Sequence, residues 1–315
     1  MKKETVSLSA GREYEYLAAD LLALPPVANW VFAPVNLERK KFPDGETGYR
    51  IHEAETIRCR PAVLICGTIN DDAVLEAYNL ASALVAEQCS ALHLVMPYFG
   101  YSTMEQASRS GEVVVAKNVA RLLSSLPSAP SGNFFYLVDL HSPGTQYYFE
   151  GSVHPVHMTT EPLISAELRR REDNPVLASA DMGRAKWIQK LSGKLGLDSA
   201  FIMKKRLSGD KTEIIALNAE VKGRPVVIYD DMIRSGSSVL GAAQAYLNAG
   251  AASVSLITTH GVFTPGAVET IRRSGMIDSL VCTDTHPRAL SAAAENPGFV
   301  RILPIAGLLQ SALRI

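Results

Sequence analysis

Apolar residues along this chain gather in short, nearly continuous runs, at 63–66, 92–96, 134–138, 176–179, 200–203, 226–229, 254–257 and 280–282. Runs of this length without polar alternation read as strands buried on both faces, the condition of a parallel sheet. Between them the apolar positions take helical spacing, over 72–87, 112–125, 184–195 and 238–249. This alternation predicts an α/β protein of doubly wound type, each sheet mostly parallel and flanked by helices. The segment 235–268 carries no charge, yet Gly241, Asn248, Gly250, His260 and Pro265 interrupt it. It reads as a buried helix followed by a buried strand, not as a membrane span.

At 315 residues the chain has the length of about two domains. A boundary is expected near 153–162, giving an N-terminal domain over 1–157 and a C-terminal domain over 158–302. The Pro/Ser/Gly patch at 126–132 is too short for a linker and reads as a surface loop. A hydrophobic content of 47% with 20% charged residues excludes collagen-like, disordered and disulfide-framework classes. Lys and Arg number 31 against 32 Asp and Glu, a net charge of −1. No nucleic-acid partner is therefore expected, although a small anionic substrate fits. Cys59, Cys66, Cys89 and Cys282 form no CxxC pair, which suits a reducing compartment. The two lysines at the start precede no apolar segment, so the expected location is cytoplasmic, away from membranes.

Ligands of open parallel sheets bind beyond the carboxyl ends of the strands, so the residues that follow the apolar runs carry the information. The sharpest case is the run at 226–229, followed by Asp230, Asp231 and then Arg234, Ser235, Gly236, Ser237 and Ser238 at the start of a helix. Backbone N–H groups and hydroxyls at a helix N-terminus suit a phosphate, and an adjacent acidic pair suits sugar hydroxyls or a metal. The combination describes a site for a phosphorylated sugar. Taken singly, each half is also a plain helix cap with a solvated acidic turn. Other strand ends carry Asp139 with His141, Asp181, and the basic run Lys204, Lys205, Arg206. On their own these read as a structural hydrogen-bonder, a helix cap and a solvated turn. Phe42-Pro43-Asp44-Gly45-Glu46 reads locally as a turn, which accounts for Pro43 and Gly45 but not for Phe42 and Glu46.

The 234–238 loop resembles the phosphoribosyl-binding signature of the type I phosphoribosyltransferase fold. The order of segments 42–46, 97–101, 109–110, 116–117, 138–141, 204–206, 230–238, 258–260 and 307–313 is similar to the ribose-phosphate diphosphokinases, the PRPP synthetases. The resemblance implies two tandem phosphoribosyltransferase-like domains, with the closing helix near 303–315 packing back on the first. It implies Mg²⁺, ATP, and transfer of diphosphate to the anomeric hydroxyl of ribose 5-phosphate. By the same resemblance, Lys204 and Arg206 stabilise the transition state. Asp230, Asp231 and residues 234–238 hold the sugar phosphate, and His141 and Asp181 place the metal. Phe42, Asp44, Glu46, Arg109 and His141 would contact ATP, the first three at a neighbouring subunit, so a homodimer or larger homo-oligomer is expected.

Two departures stand out. Thr103 and Met104 occupy positions where the family carries an Arg and a Gln for ATP, and threonine supplies neither charge nor fork. Arg234 stands where the loop usually begins with an acid. They motivate two alternatives: the same chemistry on a substituted ribose 5-phosphate such as ADP-ribose, and a catalytically silent regulatory subunit. A phosphoribosyltransferase that consumes PRPP would share the loop but would need neither the 42–46 segment nor tandem domains.

Overall fold

The structure is a computed structural model. It describes residues 3–27, 29–208, 211–217 and 220–315, with side chains described outside 203–219. The chain divides into two compact units, Met1–Thr159 with Ala306–Ile315, and Thr160–Ile305.

The first unit holds the strands β1 (Glu4–Ala10), β2 (Trp30–Pro34), β3 (Leu37–Lys41), β4 (Thr47–Ile51), β5 (Ala62–Ile65), β6 (Leu92–Met96), β7 (Asn133–Val138) and β8 (Val153–Met158). Six of them form one parallel sheet in the order β2-β1-β5-β6-β7-β8. The helices of this unit are α1 (Glu15–Ala23), α2 (Asp71–Ala86) and α3 (Val115–Ser124). Asn70 starts α2 by accepting the Ala73 N–H at 2.8 Å, satisfying one of the orphan donors of a helix start. Leu64, Leu80, Leu92, Leu94 and Phe135 lie in its main core.

The strands β3 and β4 form a separate antiparallel hairpin with Gly45 in its turn at φ 95°. Arg39 anchors its base, with Nε 2.6 Å from Glu76 of α2 and Nη1 2.7 Å from Glu15 of α1.

The second unit contains β9 (Val176–Ser179), β10 (Ser199–Ala200), β11 (Ile202–Ser208), β12 (Lys211–Leu217), β13 (Pro225–Ile233), β14 (Ser253–Gly261), β15 (Leu280–Thr283) and β16 (Val300–Leu303). Its parallel sheet runs β10-β9-β13-β14-β15-β16. Around it stand α4 (Glu161–Arg169), α5 (Ala185–Leu195), α6 (Ser237–Asn248), α7 (Ala267–Arg273) and α8 (Pro287–Glu295). The chain then returns to the first unit as α9 (Ala306–Ala312), which packs on α1. The Arg314 N–H donates to the Tyr136 hydroxyl of β7 at 3.1 Å, tying down the end of the chain.

The apolar run at 200–203 does not become a sheet strand. Only Ser199 and Ala200 join β9, and the backbone then leaves as the antiparallel hairpin β11–β12. A strand buried on both faces has no room for three successive cations. Residues 207–208 end β11, and Lys211 and Thr212 begin β12. The uncharged segment 235–268 is α6, β14 and the start of α7, with no span in it. Among the described residues no helix is long and apolar enough to cross a membrane.

Candidate active site

The central strand β13 places the acidic pair. Val226, Val227 and Ile228 are fully buried between β9 and β14. The strand does not stop at Tyr229, as the apolar run suggests, but continues through Asp230 and Asp231 to Ile233. The two carboxylates thus belong to the sheet's carboxyl end and not to a free turn.

Their surroundings differ. Asp231 is buried, and the Arg184 guanidinium grips it twice, with Nη2 2.5 Å from Oδ2 and Nε 3.2 Å from Oδ1. Burial alone would lower the Arg184 pKa, but the charge and hydrogen bonds of Asp231 override it and hold Arg184 above its ordinary range. Asp230 is half-buried and accepts the Asp231 N–H at 3.0 Å. Burial, followed by the charges of Asp231 and Asp181, pushes the Asp230 carboxyl up to about 8. Of two adjacent carboxylates, one is paired with a fixed cation and the other holds a proton near neutrality.

Beyond the strand, Gly236 adopts φ 83° as the residue before α6. A Cβ there would also stand 2.8 Å from Ile271 Cδ1, so the loop needs glycine for both its turn and its close approach. Arg234, Ser235, Ser237 and Ser238 are exposed around it. The Ser235 and Ser237 hydroxyls lie 3.2 Å apart at the helix N-terminus. The Phe263 and Thr264 N–H groups donate to the carbonyls of Ile233 and Arg234, each at 3.0 Å, strapping the loop to the exit of β14. A small turn with hydroxyls and N–H groups at the start of a helix has the chemistry to hold a phosphate.

Asp181 follows β9, the parallel neighbour of β13, and lies at the same sheet end. It is exposed, and its Oδ1 accepts the Gly183 N–H at 2.8 Å, so it caps the turn Met182–Arg184. The second unit therefore brings together Asp181, Asp230, Asp231 and residues 234–238. Strand β11, which carries Lys204 and Arg206, borders the Met182–Arg184 turn. The side chains of those two residues lie outside the described ones.

The remaining expected residues belong to the first unit. His141 follows β7, after Asp139 at φ 37°. Phe42, Asp44 and Glu46 sit at the exposed tip of the β3–β4 hairpin, where the Phe42 N–H donates to the Glu46 carbonyl at 2.8 Å. The Lys40 ammonium stands 5.2 Å from the Phe42 ring centre. Arg109 is exposed in a loop shaped by Glu112, whose Oε2 accepts the Ser108 and Arg109 N–H groups. Thr103 and Met104 lie in a short turn over Ser102–Met104, with Met104 partly exposed.

Among the described residues no group of three His, Cys, Asp or Glu side chains could hold a metal. Asp181 offers an exposed carboxylate at the end of the second unit's sheet. A single carboxylate fits a Mg²⁺ whose other ligands are phosphate oxygens and water, and not a dedicated protein cage.

Arg184 is the residue the sequence reading missed. The spacing placed it at the start of a helix beside Asp181, and nothing local announces a partner 47 positions away.

Residues 12–126 match the family model of the N-terminal domain of ribose phosphate pyrophosphokinase, and residues 190–314 match the phosphoribosyl synthetase-associated domain. A ribose-phosphate pyrophosphokinase of Pyrococcus furiosus is 30% identical over 86% of this chain and 94% of its own length. One from Chromobacterium violaceum is 32% identical over 87% of this chain and 82% of its own. Among solved structures, a phosphoribosylpyrophosphate synthetase from Mycobacterium smegmatis superposes with a TM-score of 0.83 at 25% identity. That match covers 99% of this chain and 98% of that one.

Proposed function

The chain belongs to the ribose-phosphate pyrophosphokinase family, and on that premise we propose that it transfers the diphosphate group of ATP to ribose 5-phosphate, giving PRPP and AMP. The anomeric hydroxyl attacks the β-phosphorus, the bond from that phosphorus to the α-phosphate oxygen breaks, and AMP leaves. The observation that carries this reading is the loop at the end of β13, where a glycine-dependent phosphate cradle follows directly on an acidic pair. In this reading residues 234–238 hold the 5-phosphate and the acidic pair orients the ribose hydroxyls.

Asp181 in the second unit and His141 in the first are each assigned to Mg²⁺ on family resemblance; its contribution when bound is to draw charge from the transferring phosphates. Lys204 and Arg206 are assigned to the developing charge on family resemblance, since diphosphoryl transfer depends on cations placed where that charge appears. The exposed hairpin tip with Phe42, Asp44 and Glu46, together with Arg109, is assigned to ATP. Family resemblance assigns the tip to a second copy, and hence a homodimer or larger homo-oligomer, and its exposure supports that reading. Relatives named for the pyrophosphokinase reaction favour ribose 5-phosphate over a substituted acceptor such as ADP-ribose, and an active enzyme over a silent subunit.

Phosphorus NMR of the protein with Mg²⁺, ATP and ribose 5-phosphate tests the reading. AMP with a new sugar 1-diphosphate is the expected outcome. ADP as the sole nucleotide product, or no turnover, overturns it.

A further inference from the structure

The ion pair between Arg184 and Asp231 sits where the proposed acceptor must bind, and it is built with more support than a surface salt bridge receives. Arg184 ends the turn that follows β9 and precedes α5. Three contacts hold that turn. The Ser179 hydroxyl donates to the Asp181 carbonyl at 2.6 Å, the Gly183 N–H donates to Asp181 Oδ1 at 2.8 Å, and the Tyr246 hydroxyl donates to the Ser179 carbonyl at 3.0 Å. One turn further on, Trp187 stacks on Tyr229 of β13 with ring centres 4.0 Å apart and planes 18° from parallel. Tyr229 is in turn bonded to the Thr259 hydroxyl of β14 at 3.0 Å. The base of the guanidinium is thus locked to the same strand whose carboxylate it grips.

Such a clamp has two consequences for a sugar phosphate. A lone aspartate at a strand end samples several rotamers, whereas a two-point guanidinium grip leaves one. Two adjacent carboxylates would also repel an incoming phosphate from the neighbouring cradle, and a cation inside the pair removes that repulsion. Arg184 supplies both effects, and its side chain keeps 19% of its surface exposed toward solvent.

We infer that Arg184 is a positioning residue for the acceptor: it fixes the orientation of the Asp231 carboxylate and compensates its charge, so that the end of β13 receives the ribose of a ribose phosphate in one arrangement. This rests on the proposed function and extends it to a residue outside the sugar-phosphate loop. Arg184 acts through Asp231, not on the reacting atoms.

The test compares R184K, R184Q, D231N and R184Q/D231N with the wild type as full chains, below their unfolding temperatures and with folding checked by circular dichroism. Initial rates of PRPP formation give separate KM values for ribose 5-phosphate and ATP. R184Q should raise KM for ribose 5-phosphate about tenfold or more while KM for ATP stays within about twofold. R184K keeps the charge and most of the stability but lacks the two-point grip, so it should restore only part of that affinity. In the D231N background the further effect of R184Q should vanish, because the residue through which it acts is already altered. Unchanged KM for ribose 5-phosphate in R184Q, an equal rise for both substrates, or full additivity with D231N would overturn the inference. Where the wild type itself forms no PRPP, the functional reading fails. Where it turns over normally and the variants match it, only the role of Arg184 falls.

Discussion

Arg184 and Asp231, 47 positions apart in the chain, are joined by two bonds at the carboxyl end of β9 and β13, with Nη2 2.5 Å from Oδ2 and Nε 3.2 Å from Oδ1. Asp231 is buried, so removing its partner strands a charge. R184A should destabilise the protein by roughly 3 kcal/mol, the range for breaking a buried pair. The same change made in a D231N background should cost less than half as much, since no charge is then left unpaired. Urea midpoints of the four proteins check this, and equal costs in both backgrounds would contradict it.

Asp230 ionises at a far higher pH than an ordinary carboxylate of the surface. Its pKa is raised to about 8 by burial and by the charges of Asp231 and Asp181, so the free protein carries it mostly protonated at pH 7. An ionised Asp230 accepts hydrogen bonds from sugar hydroxyls with both oxygens, and that form gains population as pH rises through 8. The ratio kcat/KM for ribose 5-phosphate should climb over this range. D230N, which cannot ionise, should lose the climb, its deficit growing roughly tenfold between pH 7 and pH 9. A parallel profile for wild type and D230N would show that Asp230 is not the titrating group.

Gly236 is constrained twice, by φ 83° and by Ile271 at 2.8 Å from the position of a Cβ. G236A should cost about 1–3 kcal/mol for the left-handed backbone and the contact together. It should also raise KM for ribose 5-phosphate, because the turn before α6 is displaced. Adding I271A relieves the contact but not the backbone angle, so affinity should recover only in part. Full recovery would assign the defect to packing alone.

His93 gives the first unit an acid limit. It is buried on β6, its Nδ1 lies 3.1 Å from the Tyr136 hydroxyl, and burial pushes its pKa down to about 4. Unfolded histidine titrates near 6.5, so between those values the unfolded chain binds a proton that the folded one refuses. Stability therefore falls as pH drops from about 6.5 toward 4, by on the order of 2–3 kcal/mol from this group. His286, lowered to about 3 by burial and by His260 and Arg288, acts in the same direction in the second unit. H93Q should show a smaller stability difference between pH 7 and pH 4.5 than wild type, measured by chemical denaturation.

The strands found by pattern were those whose apolar runs carry at most one polar residue: β5, β6, β7, β9, β13, β14 and β15. β1 escaped because Ser7 and Ser9 alternate with its apolar residues, yet both serines are buried and the Ser9 hydroxyl reaches the Val63 carbonyl. A polar residue satisfied by the neighbouring strand costs little to bury, and that partner is invisible until the strands are paired. β8 was hidden for another reason: it is an edge strand carrying Pro155, which such a position tolerates. In the site, the phosphate loop and the acidic pair were legible because their residues are contiguous. The hairpin β11–β12 was not, because the apolar run before Lys204 suggested a strand of the sheet.

By itself the sequence determined the α/β alternation, the glycine–serine loop after the acidic pair and the family, all of which depend on local periodicity or on residues close together in the chain. Only the tertiary structure decided that the two adjacent aspartates are unlike, Asp231 clamped by a cation and Asp230 holding a proton. The physical reason is the parallel sheet. It sets β9 beside β13 and so brings the turn that ends at Arg184 to the carboxyl end of a strand whose Asp231 lies 47 positions further along the chain.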